Sequence, residues 1–245
     1  MEAMLMQLAE SIKSSRKTVF LGGAGISTAS GIPDFRSSKG LYQTEFEGLN
    51  PEVILSKTFF FDETDKFYRF LKAHMYYPEA MPNGCHRVLA QMENQGLLHS
   101  VITQNIDGLH QKAGSKRVIE LHGNMNRYYC VRCNLNYNEE VLSQEHTPKC
   151  TCGGILKPQV TLYEEMLDDS VVEGAIEAIS TAELLIIGGT SLSVYPAASF
   201  IRFFSGKKLV IMNQTPTQAD ERADFIFREP IDQVMLGLKK YLEFA

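Results

Sequence analysis

Four of the five cysteines in this chain lie close together at a spacing that is typical of a metal site. They form two pairs, Cys130-x2-Cys133 and Cys150-x-Cys152, with sixteen residues between the pairs. Four thiolates can surround one zinc ion tetrahedrally and leave no coordination position open, as in structural zinc sites. Two disulfides are the alternative, but we expect a reducing compartment because the sequence shows no export signal. The pattern therefore favours a structural zinc.

The second cysteine pair is one residue shorter than the common C-x2-C arrangement. Gly153 and Gly154 follow it directly. Because glycine adopts backbone conformations that other residues avoid, we expect these two residues to turn the chain so that backbone amides face the sulfurs. The fifth cysteine, Cys85, lies in the helical pattern of residues 83–95 and is expected to be a core residue.

A second candidate site lies in "FLGGAGISTASGIPDFR", residues 20–36. An apolar run is followed by Gly22, Gly23 and Gly25, a pattern in which the backbone can approach a pyrophosphate and direct helix N-terminal amides at it. The pattern does not complete G-x-G-x-x-G, because Thr28 occupies the third glycine position, and no strand-ending acid follows at the distance that a dehydrogenase uses. The residues therefore favour a nucleotide site and disfavour a hydride-transfer enzyme.

The composition argues against several classes of partner. The chain has 245 residues, of which 44% are hydrophobic and 22% charged, and its formal net charge is −5. It can therefore bury a full core, but it has no broad basic field for nucleic acid or an anionic membrane. No window approaches the roughly 18 apolar residues of a membrane span. We expect a globular, cytoplasmic protein that binds neither nucleic acid nor membrane directly.

The elements that must position these sites follow from short apolar runs. Strands are predicted at 18–21, 100–103, 183–188 and 208–212, with 224–227 as a fifth candidate, and helices at 2–14, 83–95, 168–180, 196–205 and 231–243. This alternation predicts an α/β fold, a doubly wound parallel-sheet, Rossmann-like domain. Each of the first four strands ends in small or polar residues, and the carboxyl ends of parallel strands meet at one crevice. We therefore expect one extended ligand there.

Two stretches interrupt the alternation and predict a smaller domain beside the sheet. Residues 36–80 are rich in aromatic side chains, and residues 126–157 contain the cysteines. The predicted division assigns 1–35, 81–125 and 158–245 to the Rossmann-like domain. It assigns the two interrupting stretches to a helical and zinc-binding domain.

Several blocks of sequence together resemble the sirtuin family of NAD-dependent protein deacylases, in its short bacterial form. They are "GAGISTASGIPDFRS" at 23–37, "TQNIDGLHQKAG" at 103–114, "ELHGN" at 120–124, the four cysteines, "GTSLSVYPAA" at 189–198 and "MNQTPT" at 212–217. The resemblance implies NAD-dependent removal of acetyl groups from protein lysine, with release of nicotinamide and O-acetyl-ADP-ribose. It also implies NAD as cofactor, a structural zinc, and acetylated proteins or peptides as substrates.

The resemblance implies catalytic roles for three residues. His122 corresponds to the general base that activates a ribose hydroxyl, a role that suits imidazole because it titrates near neutral pH. Asp107 corresponds to the carboxylate that accepts from the nicotinamide amide. Asn105 corresponds, together with Gln104, to the groups that position the ribose and an ordered water.

The remaining implied contacts surround the cofactor. Phe35 corresponds to a ring that covers the ribose after bond cleavage, on a lid that Asp34 and Arg36 order over the cofactor. The implied cofactor contacts are Gly23, Ala24, Gly25, Thr28, Asp34, Phe35, Arg36, Gln104, Asn105, Ile106, Asp107, His122, Gly189, Thr190, Ser191, Asn213 and Gln214.

An extended peptide is implied to add as a strand between residues 159–167 and 191–196. The implied contacts are Thr161, Tyr163, Glu164, Glu165, Val194 and Tyr195. The family commonly has Phe-Gly-Glu where this chain has Tyr163-Glu164-Glu165. Because Glu164 adds a side chain and a charge beside the peptide, the departure predicts altered peptide affinity and a preference for basic flanking residues.

The resemblance also has an implication for which acyl groups the protein removes. Sirtuins that remove succinyl or malonyl groups have a tyrosine and, three residues later, an arginine that meets the acyl carboxylate. This chain has Tyr68 but carries Leu71 at the arginine position. A carboxylate buried without a cation is costly, so the sequence predicts a preference for neutral acyl groups.

Two other functions remain open as alternatives. Protein mono-ADP-ribosyl transfer begins with the same bond cleavage, whereas a non-catalytic module that senses NAD or binds peptides would need only the glycine turn. The joint presence of His122, Asn105 and Asp107 favours deacylation over both.

Overall fold

The predicted alternation of helices and strands is present in the computed structural model, which describes residues 1–35, 37, 40–43 and 45–243. In chain order, the strands are β1 (Thr18–Gly22), β2 (Ser100–Thr103), β3 (Val118–Glu120), β4 (Gly123–Cys130), β5 (Asn136–Asn138), β6 (Leu156–Val160), β7 (Leu184–Gly188), β8 (Lys208–Met212) and β9 (Phe225–Phe227). The α-helices are α1 (Glu2–Ser14), α2 (Pro51–Ile54), α3 (Lys57–Asp62), α4 (Thr64–His74), α5 (Gly84–Asn94), α6 (Leu109–Lys112), α7 (Asp169–Ser180) and α8 (Ile231–Leu242). Among these helices, none is long and apolar enough to cross a membrane.

Six strands form one parallel sheet in the order β3-β2-β1-β7-β8-β9. Every residue of β1 and β7 is buried, as expected for central strands that are covered on both faces. Apolar side chains of α1, α5 and α8, such as Leu8, Val88 and Leu238, pack on one face. Those of α7 and of a 3-10 helix, such as Ile179 and Phe200, pack on the other. This confirms the predicted doubly wound, Rossmann-like class.

A smaller antiparallel sheet, in the order β5-β4-β6, lies beside the parallel sheet. Its apolar side chains share a core with α3 and α4, which includes Phe60, Phe67, Tyr128 and Leu156. The rings of Phe60 and Phe67 meet nearly edge to face, with centroids 5.0 Å apart. The aromatic-rich segment and the cysteine segment, far apart in the chain, therefore pack together.

The chain after β1 differs from the expected strand-to-helix turn. Two short 3-10 helices, Ala24–Ile26 and Thr28–Ser30, take the place of an α-helix. Gly25 and Gly31 lower the helix propensity of this segment, and Gly31 adopts a left-handed φ of 84° that ends it. The amides that face the cleft here therefore belong to tight turns.

Two further expectations need correction. The helix predicted at 196–205 is a 3-10 helix, Ala197–Phe203, preceded by Pro196. The small sheet was not predicted, because β4 reads "GNMNRYYC" and its burial does not alternate along the strand. Its pairing with β6 also changes register between Asn124 and Tyr128, and this irregularity disturbs the alternation of buried and exposed side chains that marks a strand in a sequence.

Candidate active site and metal centre

One cleft of about 930 Å³ lies at the carboxyl ends of β1, β2, β7 and β8. All four predicted strand endings contribute to its wall, through Gly23, Gln104, Gly189 and Asn213. Their convergence confirms that the ends of these strands meet at one crevice, as parallel topology requires. The volume is large enough for an extended ligand.

The cleft wall brings together most residues that the sequence singled out. From the cofactor set it includes Gly23, Ala24, Gly25, Thr28, Asp34, Phe35, Gln104, Asn105, Ile106, His122, Gly189, Thr190, Ser191, Asn213 and Gln214. From the peptide set it includes Thr161, Tyr163, Glu164, Glu165, Val194 and Tyr195. Asp107 is not on this wall, and Arg36 lies outside the described residues, so the prediction for Arg36 has no structural counterpart here.

The glycine turn at Gly23 and Gly25 packs closely against the loop that contains Gly189 and Thr190. The amide of Gly25 donates to the carbonyl of Gly189 at 2.9 Å. A Cβ at Gly25 would lie 2.9 Å from the backbone of Gly189, and a Cβ at Gly23 would lie 2.9 Å from Thr190 Cβ. Such distances leave no room for a side chain. These glycines therefore allow two cofactor loops to pack against each other, a requirement that the sequence alone did not reveal.

A buried hydroxyl joins two of the predicted catalytic residues. Ser27 Oγ donates to Asp107 Oδ2 at 2.6 Å and accepts from Asn105 Nδ2 at 3.1 Å. The other oxygen of Asp107 accepts from the amide of Leu109 at 2.9 Å. Sequence reasoning missed Ser27, although the quoted block at 23–37 contains it. Its position shows that Asp107 is held behind the wall and is bound to Asn105 through one shared partner.

The charge state of Asp107 is set by opposing effects. Burial raises the pKa of its carboxyl, while hydrogen bonds from Ser27, Leu109 and Asn105 lower it, and the pKa stays above the ordinary value. A carboxylate in this position is a strong acceptor because little water competes for it.

His122 lies on the cleft wall between β3 and β4, and its two ring nitrogens differ in role. Nδ1 is 2.8 Å from the carbonyl oxygen of Gln104. Since a carbonyl oxygen can only accept, Nδ1 carries the proton and Nε2 keeps its lone pair. Burial lowers the pKa of the imidazole, and the Gln104 carbonyl only partly offsets this. At neutral pH His122 is therefore an uncharged base with Nε2 as its acceptor atom.

The peptide edge is physically connected to this histidine. The amide of Thr161 donates to the carbonyl of His122 at 2.9 Å. Large apolar side chains are exposed around the same part of the cleft, with Tyr195 70% exposed and Met166 89% exposed. Exposed apolar groups that cluster at a cleft are typical of a surface that binds another chain.

The core shared by the small sheet, α3 and α4 supplies apolar residues to the cleft wall, none of which the sequence singled out individually. Leu55, Met75, Val160 and Leu162 line the cleft, and Phe35 reaches it with its ring 5.4 Å from that of Tyr42. No local pattern marks these positions, because their exposure to the cleft depends on how the two sheets pack together.

Tyr68 and Leu71 occupy different surroundings from those implied by the acyl comparison. Tyr68 is 2% exposed and its hydroxyl donates to the carbonyl of Leu156 at 2.5 Å, and Leu71 is 1% exposed. Both belong to the core of the small domain. Met75, one helical turn after Leu71, lies on the cleft wall instead.

The four cysteines form a metal centre away from the cleft. Their Sγ atoms all lie within 4.8 Å of one another, with Cys130 and Cys152 3.5 Å apart and Cys133 and Cys150 3.6 Å apart. A tetrahedral zinc with Zn–S bonds of about 2.3 Å places its sulfurs about 3.8 Å apart. Four thiolates are soft ligands that suit zinc. The donor set and its spacing therefore fit a structural zinc.

The glycines after the second pair make the expected turn, and the amides that face the sulfurs belong to other residues. The amides that face the sulfurs belong to Arg132, at 3.4 Å from Cys130 Sγ, and to Cys152, at 3.5 Å from Cys150 Sγ. Gly153 has a left-handed φ of 80°. A Cβ at Gly154 would lie 2.6 Å from Cys130 Sγ. The two glycines thus make the turn and leave space for the sulfurs, while other residues donate.

The chain is similar to known proteins over most of its length. The family model described as the Sir2 family matches residues 23–196. The chain is 52% identical over 239 residues to an NAD-dependent protein deacetylase of Clostridium perfringens, covering 96% of this chain and 98% of that protein. It is 50% identical over 233 residues to an NAD-dependent protein deacetylase of Clostridium acetobutylicum, covering 94% and 95%.

Solved structures show the same similarity in three dimensions. A Sir2 variant with deacetylated p53 peptide and 3'-O-acetyl ADP ribose superposes with a TM-score of 0.90 at 39% identity, over 98% of this chain and 99% of that chain. A complex of Sir2, p53 peptide and NAD+ superposes with a TM-score of 0.84 at 40% identity, over 96% of each chain. Both matches extend over nearly the whole molecule.

Proposed function

This chain belongs to the Sir2 family, and from that premise we propose that it is an NAD-dependent protein-lysine deacetylase in which His122 is the general base. The observation that carries the proposal is the imidazole on the cleft wall, whose Nδ1 is fixed by Gln104 and whose Nε2 is free to accept a proton. Cofactor loops and peptide edge meet at this residue.

Different residues of the cleft wall would hold different parts of the cofactor. NAD, when bound, supplies an electrophilic ribose carbon and a leaving group. The turn at Gly23, Ala24 and Gly25 would approach the phosphates, with the amides of Gly23 and Gly25 themselves held by the carbonyls of Gly188 and Gly189. The later loops would hold the adenosine end through Thr190, Ser191, Asn213 and Gln214. Asn105 would orient the ribose, and Asp107, held behind the wall and joined to Asn105 through Ser27, would fix the position of the Asn105 side-chain amide. Phe35 excludes water from the reacting part of the cleft.

Proton transfer depends on the chain's own groups. Nε2 of His122 takes up one proton during the reaction, and its low pKa keeps it unprotonated beforehand. The Gln104 carbonyl then stabilises the imidazolium through Nδ1. The acetylated peptide lies between Thr161 to Glu165 on one side and Val194 and Tyr195 on the other.

We also propose the two-domain division at 36–80 and 126–157, with the remainder forming the cofactor domain. The core of the small sheet is a cluster separate from those of the parallel sheet, which supports two domains, and it extends beyond the proposed bounds to Met125, Val160 and Leu162. Zinc at Cys130, Cys133, Cys150 and Cys152 stabilises the smaller domain. A cytoplasmic location is supported by the five cysteines, none of which forms a disulfide.

Mass spectrometry of the purified protein with NAD and an acetyl-lysine peptide tests the function. Deacetylated peptide together with O-acetyl-ADP-ribose is the expected result. ADP-ribosylated protein would indicate the transferase alternative. Absence of any product, with NAD still bound in a calorimetric titration, would indicate a binding module. The His122→Ala variant serves as the control for contaminating activity.

A further inference from the structure

Glu164 has a backbone conformation that its residue type disfavours. Its φ is 72°, in the left-handed region that glycine adopts readily and other residues rarely do. The residue lies on the cleft wall and is exposed, so burial does not force this conformation. Such a conformation persists only where surrounding contacts determine it.

The side chain of Glu164 reaches into the smaller domain. Its Oε2 accepts from the amide of Thr58 at 2.9 Å and from Thr58 Oγ1 at 2.7 Å. Thr58 lies in α3, whose first turn is also held by Ser56 Oγ, which accepts from the amide of Phe59. The hydrogen bonds from Thr58 lower the pKa of the Glu164 carboxyl, so it stays charged at neutral pH. Charge-assisted bonds of this kind are stronger than neutral ones.

Tyr163, the residue before Glu164, uses both of its backbone hydrogen-bonding groups within the protein. Tyr163 donates its amide to Leu55 and accepts at its carbonyl from Lys57, at 3.0 Å in each case. Within the described part of the chain, the amide and carbonyl of Glu164 have no hydrogen-bond partner. Glu164 lies in a turn that the Glu165 amide closes on the Leu162 carbonyl at 3.0 Å, and its own amide and carbonyl are therefore left for a ligand at this part of the cleft wall.

We propose that Glu164 is a positioning residue for the peptide substrate, and that its carboxylate on Thr58 fixes the direction in which its own amide and carbonyl meet the peptide backbone. This rests on the proposed function. Glycine would adopt the backbone conformation of this position readily. Glu164 is held in it by the hydrogen bonds that its side chain accepts from Thr58. This contact also links peptide binding to α3 of the smaller domain.

Four variants separate this role from others. Glu164→Gly relaxes the backbone and removes the anchor, Glu164→Gln keeps an acceptor oxygen, and Thr58→Val removes the hydroxyl donor. Glu173→Gln is the matched control, since Glu173 is an exposed glutamate on α7 outside the cleft. Peptide KM, NAD KM and kcat are measured for each, together with the Kd of the acetyl-lysine peptide from fluorescence polarisation and the Tm of each protein.

Glu164→Gly is expected to raise the peptide KM and Kd about tenfold, the scale of one charge-assisted hydrogen bond. NAD KM, kcat and Tm should stay near the parent values, and Glu164→Gln should lose less than Glu164→Gly. Combining Glu164→Gly with Thr58→Val should add little, because both act on the same contact.

Three results would overturn the proposal. They are an unchanged peptide Kd in Glu164→Gly, equal losses in the glutamine and glycine variants, and a loss confined to peptides with basic flanking residues. The last result would instead make Glu164 a reader of peptide charge. Since the Kd requires no turnover, the proposal can be judged even if the deacetylase assay fails.

Discussion

At the scale of single residues, the choice between the two ring nitrogens of His122 decides the chemistry. The Gln104 carbonyl occupies Nδ1, which leaves Nε2 as the proton acceptor. The histidine does not bind the glycine turn, so its removal should leave cofactor binding intact.

The His122→Ala variant is therefore expected to bind NAD with near-parental affinity and to lose about 10²–10⁴-fold in kcat, the usual contribution of a general base. Calorimetry measures the first quantity and product formation by mass spectrometry the second. Near-normal turnover would show that another group accepts the proton.

The pH dependence of the reaction reports the same residue. Because burial lowers the pKa of His122, the active neutral form persists below the ordinary histidine value of about 6.5. The acid limb of log kcat/KM should therefore have its midpoint below pH 6.5. The residual activity of the His122→Ala variant should lack that limb. A midpoint at or above 6.5 in the parent enzyme would contradict the burial argument.

At the scale of elements, two histidines join α5 to α6. The rings of His86 and His110 lie 4.8 Å apart, and both side chains are at most 1% exposed. Asn83 connects them to the cofactor loop, since its amide donates to His86 Nδ1 and its Nδ2 donates to the carbonyl of Ile26 at 2.7 Å. In the part of the chain that the structure describes, neither ring nitrogen of His110 has a partner.

This pair predicts a loss of stability in mild acid. Burial lowers the pKa of His86 to about 4 and that of His110 to about 3. Below about pH 6.5 the unfolded chain binds protons that the folded chain does not, so the stabilising contribution is lost as pH falls towards those values. Each histidine contributes a slope of up to about 1.4 kcal/mol per pH unit.

Urea unfolding at several pH values between 6.5 and 4.5 measures this slope. His110→Met should reduce it, whatever the variant does to stability at pH 7. His146→Gln should not, because His146 is exposed. An unchanged slope in His110→Met would show that the buried pair does not cause the acid sensitivity.

The cysteine-bearing element makes a separate prediction. All four ligand positions are filled by thiolates, which leaves none for a substrate. Elemental analysis should find about one zinc per chain. Removal by a chelator should lower Tm together with activity, and added zinc should restore both. A metal-free protein that keeps its Tm and its activity would exclude the structural role.

At the scale of the whole molecule, the cleft between the two sheets determines which acyl groups fit. Its described wall contains no lysine or arginine, and it combines apolar side chains such as Val160, Leu162 and Met75 with carboxyl groups such as Glu229 and Asp232. Tyr68 and Leu71 take no part in this wall, because both are buried in the core of the smaller domain.

Neutral acyl groups are therefore expected to be processed at least about tenfold faster in kcat/KM than succinyl groups on the same peptide, because a carboxylate would be desolvated without a partner. Acetyl-, propionyl- and succinyl-lysine peptides of one sequence provide the comparison. Equal or faster desuccinylation would indicate that a cation reaches the acyl group.

Local patterns in the sequence were sufficient for much of this description. The apolar runs predicted at 18–21, 100–103, 183–188 and 208–212 match β1, β2, β7 and β8 to within one residue at each end, because burial on both faces leaves a continuous apolar run and small or polar residues mark its end. The cysteine spacing determined the metal centre for a similar reason, since ligands close in sequence need little help from the rest of the fold. The resemblance of the quoted blocks supplied the chemistry.

Only the tertiary structure decided which side chains meet. Ser27 joins Asn105 and Asp107 across about eighty residues, and Glu164 reaches Thr58 across 106. The role of the glycine turn likewise depends on a distant loop at Gly189. Hydrogen bonds and steric contacts act over a few ångströms between segments that chain order does not relate. Periodicity and residue type record whether a position is buried, whereas the identity of its partner exists only once the sheets have packed.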